Sequence, residues 1–184
     1  ETYDELTYEG KHISFPSLDK KAKKNTILLN GFSKGYAMTG FRVGFACGDK
    51  EIISAMTKIH SYSALCAPIV SQVAATEALL AQKDIKRMVS EYKRRRDFVV
   101  KELNKIGLQT INPNGAFYCF SSVAKYKIKA LDFAKKLLMQ EKVAVVPGTA
   151  FGREFSSHIR ISYANSLDNL KEAVVRIEKF LSKL

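Results

Sequence analysis

Two apolar periods alternate along the chain. Residues 26–29 form a short apolar run bounded by Asn30 and Gly31, and residues 41–46 form a second strand-like run. Asp49 stands as an N-cap ahead of a helical pattern over 50–60, with Ile52, Ile53, Met56 and Ile59 on its apolar stripe. A second helix is predicted over 69–81. A long one follows over 84–106, capped by Asp84 and stopped near Gly107. Its stripe is Ile85, Met88, Val89, Tyr92, Val99 and Leu103, which leaves residues 93–96 and Lys101 facing water. Beyond Gly107, a turn at 112–115 leads into strand patterns over 116–120, 143–146 and 158–163. Helical patterns lie over 131–141 and from a Ser166 cap to about 184. Hairpin-like links in this half favour a partly antiparallel sheet, and the whole reads as α/β.

The loop between the first two strand-like runs carries the candidate chemistry. Lys34 follows Ser33 and precedes Gly35, and Arg42 comes eight residues later. A lysine becomes nucleophilic at neutral pH when desolvation or neighbouring positive charge disfavours its ammonium, and it then condenses with aldehydes. A fixed guanidinium grips a phosphate through parallel hydrogen bonds. Gly31, Gly35 and Gly40 allow close backbone approach, and Ser33 and Thr39 add hydroxyls. These parts describe a cradle for a phosphorylated aldehyde. By spacing alone they equally describe a Lys and an Arg flanking an ordinary surface loop.

The contiguous run from Ser33 to Gly44, SKGYAMTGFRVG, resembles the cofactor-lysine segment of class I, fold type I pyridoxal-phosphate aminotransferases. The branch it is most similar to holds the prokaryotic aspartate and aromatic aminotransferases. Segments 66–79 and 113–120, and the R-I-S-Y-A run at Arg160, resemble the same family. The resemblance implies that Lys34 forms the Schiff base with pyridoxal 5'-phosphate, that Arg42 binds the phosphate, and that Ser33 adds a phosphate or loop contact. Relatives carry a hydroxyl residue three before the lysine, where this chain has Gly31. Tyr3 matches the tyrosine of an Asp-x-x-Tyr signature that contacts the cofactor's phenolic oxygen. The matching Asp would fall one residue before Glu1, and Glu1, Asp4 and Glu5 are out of register with it.

Arg160 is the second candidate. A charge inside an apolar strand is expensive unless it meets a partner, and the resemblance implies a grip on the substrate α-carboxylate. The implied fold is the C-terminal part of the fold type I transferase. Residues 1–83 would close the large cofactor domain, 84–106 would form a connecting helix, and 107–184 would form the small α/β domain. The implied activity moves an amino group between an amino acid and a 2-oxo acid, in a homodimer whose full-length chain supplies an N-terminal half. The isolated 184 residues are expected to turn over poorly. A carbon–sulfur β-lyase would use the same lysine and release ammonia instead. A non-catalytic effector-binding module of a transcription regulator is the alternative outside enzymes.

Composition narrows the remaining classes. Hydrophobic content of 46% with regular periodicity excludes a disordered chain. No apolar run approaches the roughly 20 residues of a membrane span. Net charge is +12, yet neither basic cluster, 20–24 in a solvated loop or 93–96 on a helix, is interleaved with aromatic residues, so nucleic acid is not an expected partner. Cys47, Cys66 and Cys119 are an odd, scattered set, read as reduced core thiols of a cytoplasmic protein. No metal-ligand spacing occurs, and His60 reads as a helix-end residue.

Overall fold

A computed structural model describes all of residues 1–184. It divides into two compact units, Glu1–Val89 and Ser90–Leu184.

In the first unit, the Asp19 side chain accepts from the Ala22 amide at 2.7 Å. That cap turns the lysine cluster, expected as a loop, into a short helix α1, Lys20–Lys24. Strands β1 (Leu28–Gly31) and β2 (Gly44–Cys47) pair antiparallel from Leu28↔Cys47 to Gly31↔Gly44. The ladder closes tightly at its glycine end, where a Cβ on Gly44 would stand 2.8 Å from the Asn30 carbonyl oxygen. Between the strands sits one helical turn, α2 (Phe32–Gly35), and a 3-10 turn, Thr39–Phe41. Strand β2 starts later than the pattern predicts because Arg42 adopts a left-handed backbone, φ +52°, which breaks the extended run.

Helix α3 (Lys50–Ser63) starts where Asp49 accepts from the Glu51 amide at 2.9 Å. Its predicted apolar stripe is not buried within this unit, and Ile59 and Tyr62 are exposed. Helix α4 (Ile69–Ala78) supplies Ala74, Ala75 and Ala78 to a cluster with Phe32, Tyr36, Met38 and Val43. Its small side chains therefore seat the turn that carries Lys34.

Helix α5 (Gln82–Lys105) begins two residues before Asp84, which lies in its first turn instead of capping it. The helix ends as read, at Gly107 with φ +92°. There the Leu108 amide donates to Leu103 and the Gly107 amide to Asn104, a double closure that needs the left-handed glycine. The boundary between the two units falls inside this helix.

The second unit is a four-stranded sheet, β3 (Gln109–Thr110), β4 (Tyr118–Ser122), β5 (Val146–Pro147) and β6 (His158–Ser162), in the order β3-β4-β6-β5. Every pairing is antiparallel, where a partly antiparallel sheet was expected. Alternation sorts the faces. Cys119, Ser121 and Ile159 are buried, whereas Tyr118, Phe120, Ser122 and Arg160 stay partly exposed. Helix α6 (Ala130–Glu141) packs on β5, β6 and α7 (Leu167–Leu181), with the Phe133 and Phe180 rings edge to face at 5.1 Å. Ser166 caps α7 by accepting from the Asn169 amide at 3.2 Å. Of the strand expected over 143–146, only Val146 is laddered to β6, and the ladder runs on to Pro147; β5 lies at the sheet edge.

Two surface expectations are overturned. Arg96, read as facing water, is 2% exposed, because four successive helical residues sweep most of a full turn and one must point inward. Of the three thiols read as core, only Cys119 is buried, and Cys47 and Cys66 are exposed.

Candidate functional site

Lys34 lies three residues past the Gly31↔Gly44 end of the β1–β2 ladder, and Arg42 lies two before it. The two cations therefore occupy opposite limbs of one closed loop. Phe32 roots that loop: it is buried, its carbonyl accepts from the Met38 amide at 3.1 Å, and its ring meets Tyr36 at 4.9 Å and Phe45 at 5.9 Å. Lys34 and Ser33 are half-buried. Both Ala37 (φ +54°) and Arg42 (φ +52°) are left-handed non-glycine residues, a conformation that costs about 1–2 kcal/mol per residue. Arg42 donates one hydrogen bond, from Nη1 to the Thr39 carbonyl at 3.0 Å. Its other guanidinium donors have no protein partner.

The opening segment is fastened across β1 and α2. The Glu1 nitrogen donates to the Leu29 carbonyl at 2.7 Å, and Asn30 Nδ2 donates to Asp4 Oδ2 at 2.6 Å. Tyr36 Oη donates to Glu5 Oε1 at 3.4 Å. Burial pushes the Tyr36 hydroxyl pKa up, and the Glu5 and Asp4 carboxylates add to the shift. A Cβ on Gly35 would come within 2.9 Å of Glu5 Cβ, so the glycine is what lets this segment close in. Tyr3 sits between these anchors. In the sequence Asp4 and Glu5 are only carboxylates out of register; in the fold they brace the Lys34 turn. Such contacts, 26 and 31 residues apart in sequence, leave no local pattern to read.

Arg160 lies on the open face of the second unit's sheet, paired to Phe120 across β4–β6. Its guanidinium stands over the Tyr118 ring at 4.3 Å and the Phe151 ring at 4.5 Å. No carboxylate pairs with it; ring faces supply the compensation that a strand charge requires. The same face holds a cavity of about 540 Å³ whose lining includes Pro113, Tyr118, Phe120, Phe155, His158 and Arg160. His158, which carried no signal in the sequence, stacks on Phe120 at 5.3 Å with ring planes 9° apart. Its spacing of two from Arg160 on one strand was the available clue.

The family described as aminotransferase class I and II matches residues 1–177. The chain belongs to the class I and II aminotransferases. An aspartate aminotransferase of Pyrococcus abyssi is 43% identical over 98% of this chain and 47% of its own length. The aromatic-amino-acid aminotransferase 2 of Thermococcus litoralis is 39% identical over 100% of this chain and 48% of its own. An aromatic aminotransferase structure from Pyrococcus horikoshii superposes with a TM-score of 0.95 at 41% identity, covering 100% of this chain and 50% of that one. The Thermus thermophilus aspartate aminotransferase solved with maleate gives a TM-score of 0.87 at 38% identity, over 97% of this chain and 46% of that one. The chain thus spans about half the length of the aminotransferases it matches, and its fold is that part of the fold type I architecture.

Aminotransferases of this family work with pyridoxal phosphate. The first unit's donor set suits such a group. An amine, a guanidinium with uncommitted donors and a Ser33 hydroxyl without a protein partner share one strained loop.

Proposed function

We propose that this chain carries the cofactor-holding lysine and the carboxylate-holding arginine of an aminotransferase that moves an amino group between an amino acid and a 2-oxo acid. Residues 1–83 would complete the cofactor domain, 84–106 link it onward, and 107–184 form the small domain of a homodimeric enzyme. The observation that carries this reading is the Lys34–Arg42 loop. Strained backbone persists where surrounding structure enforces it, and here it sets an amine and a largely unpaired guanidinium on one closed loop.

Pyridoxal phosphate, when bound, supplies the electron sink for amino-group transfer. Lys34 Nζ would anchor its aldehyde and, once displaced by a substrate amine, take the proton from the substrate Cα. Arg42 would hold the phosphate with the donors it does not spend on Thr39, and Ser33 would add a hydroxyl. Tyr3, held between the Glu1 and Asp4 anchors, would present its hydroxyl to the cofactor's phenolic oxygen. Arg160 would fix the substrate carboxylate. Its planar fork matches two carboxylate oxygens, and the two rings beneath it limit its rotation.

Borohydride reduction of the protein loaded with pyridoxal phosphate, followed by digestion and mass spectrometry, tests this assignment. The pyridoxyl label should appear on Lys34; a label concentrated on any other lysine overturns it. Arg42→Gln should weaken loading about tenfold, the equivalent of one charge-assisted hydrogen bond. Amino-acid turnover that yields 2-oxo acid without ammonia separates transfer from elimination.

A further inference from the structure

Arg96 is a buried cation that none of these roles uses. Its neighbours in the basic run behave as surface residues: Arg94 and Arg95 both bond Glu91, from exposed and half-exposed positions. Arg96 does not. Its side chain is 2% exposed, and Asp97, half-exposed, takes Nε at 2.9 Å and Nη2 at 2.7 Å on one carboxylate oxygen. Nη1 reaches across to the Pro113 carbonyl at 2.9 Å. Replacing a buried ion pair with apolar residues often leaves stability intact, so stability alone is a poor account of this one.

What Arg96 fastens is the turn that leads into β4. Pro113 is part of the wall of the Arg160 cavity. At the far end of the turn, Ala116 is left-handed at φ +58°. Its carbonyl accepts from Tyr163 Oη at 3.1 Å, and the Phe117 carbonyl accepts from the Tyr163 amide at 3.0 Å. Phe117 stacks on Tyr92, one turn before Arg96 on the same helix, at 5.6 Å. The next residue is Tyr118, whose ring lies 4.3 Å from the Arg160 guanidinium. A short series of fixed contacts therefore runs from Arg96 through Pro113 and the turn to Tyr118 and Arg160.

We infer that Arg96 is a positioning residue for carboxylate recognition, holding Pro113 and the Tyr118 ring where they present the Arg160 guanidinium to a ligand. The inference rests on the reading of Arg160 as the carboxylate-binding residue. A lysine at position 96 would keep the charge but lose the fork that spans Asp97 and Pro113 at once.

The test titrates the chain with maleate while following arginine side-chain Nε–Hε signals by NMR, the Arg160 signal being assigned as the one lost in Arg160→Gln. Arg96→Lys should shift the ligand-free Arg160 signal and weaken maleate binding about tenfold. Asp97→Asn, which removes the charge but keeps an oxygen to accept from Arg96, should produce the same shift and about a threefold loss. Arg94→Gln should change neither. Folded Arg96→Lys or Asp97→Asn protein with an unmoved Arg160 signal and unaltered affinity overturns the inference. Should Arg160→Gln bind maleate as well as the parent does, the carboxylate reading itself falls. The ligand-free signal still decides whether Arg96 positions Arg160.

Discussion

Among single residues, glycine and cysteine positions give the sharpest expectations. Gly44 exists to let β1 and β2 close, since any Cβ there meets the Asn30 carbonyl at 2.8 Å. Gly44→Ala should cost about 1–3 kcal/mol in urea unfolding, the usual range for an inserted methyl without room, and should weaken cofactor loading with it. Burial pushes the Cys119 thiol pKa up to about 12, whereas Cys47 and Cys66 are exposed. Maleimide at neutral pH should therefore label two thiols in native protein and three after denaturation. The turn that carries Lys34 was legible because Asn30 and Gly31 and the apolar runs on either side mark a link between two strands. The left-handed Arg42 was not, because nothing in the local pattern announces positive φ at a residue other than glycine.

Caps and alternation made most helices and strands readable: Asp49 and Ser166 cap the helices they were assigned, and β6 alternates as its pattern says. Failures came where an element's neighbours decide its extent. Strand β5 is short because only two of its residues find a ladder partner. Arg96 was misplaced because position on a helix outweighs charge when four basic residues run consecutively. The tie between α6 and α7 was also invisible in sequence. Glu141 is buried at the end of α6 and receives Lys179 Nζ at 3.1 Å and Lys183 Nζ at 2.6 Å. These two ammonium groups hold its carboxyl below the ordinary range. A depressed folded value means the contribution is complete above the unfolded pKa of about 4.3 and is lost as pH falls through the folded one. Glu141→Gln should accordingly lower the melting temperature at pH 7. The gap from the parent should shrink progressively as the melts are repeated toward pH 3.

For the molecule as a whole, the apolar residues left uncovered outweigh the +12 charge as a guide to behaviour. Ile59, Tyr62, Leu65, Ile69 and Val70 lie within twelve residues of one another and are each at least 70% exposed. So many large apolar side chains left this open in one stretch are uncommon on a monomeric domain. The 184-residue chain should bind the dye ANS in its native state and self-associate with rising concentration. Ile59→Ser with Tyr62→Ser should reduce both, as read by fluorescence and sedimentation velocity. No helix is long and apolar enough to cross a membrane.

The aromatic bed under Arg160 carries one last consequence. Had an aspartate balanced that guanidinium, every incoming ligand would first have to evict a resident anion. Phenyl and phenol faces ask for no such exchange, so the cation is ready for whichever anion arrives first. Chloride and sulfate should thus act as competitive brakes, and recognition should slacken steadily in concentrated salt.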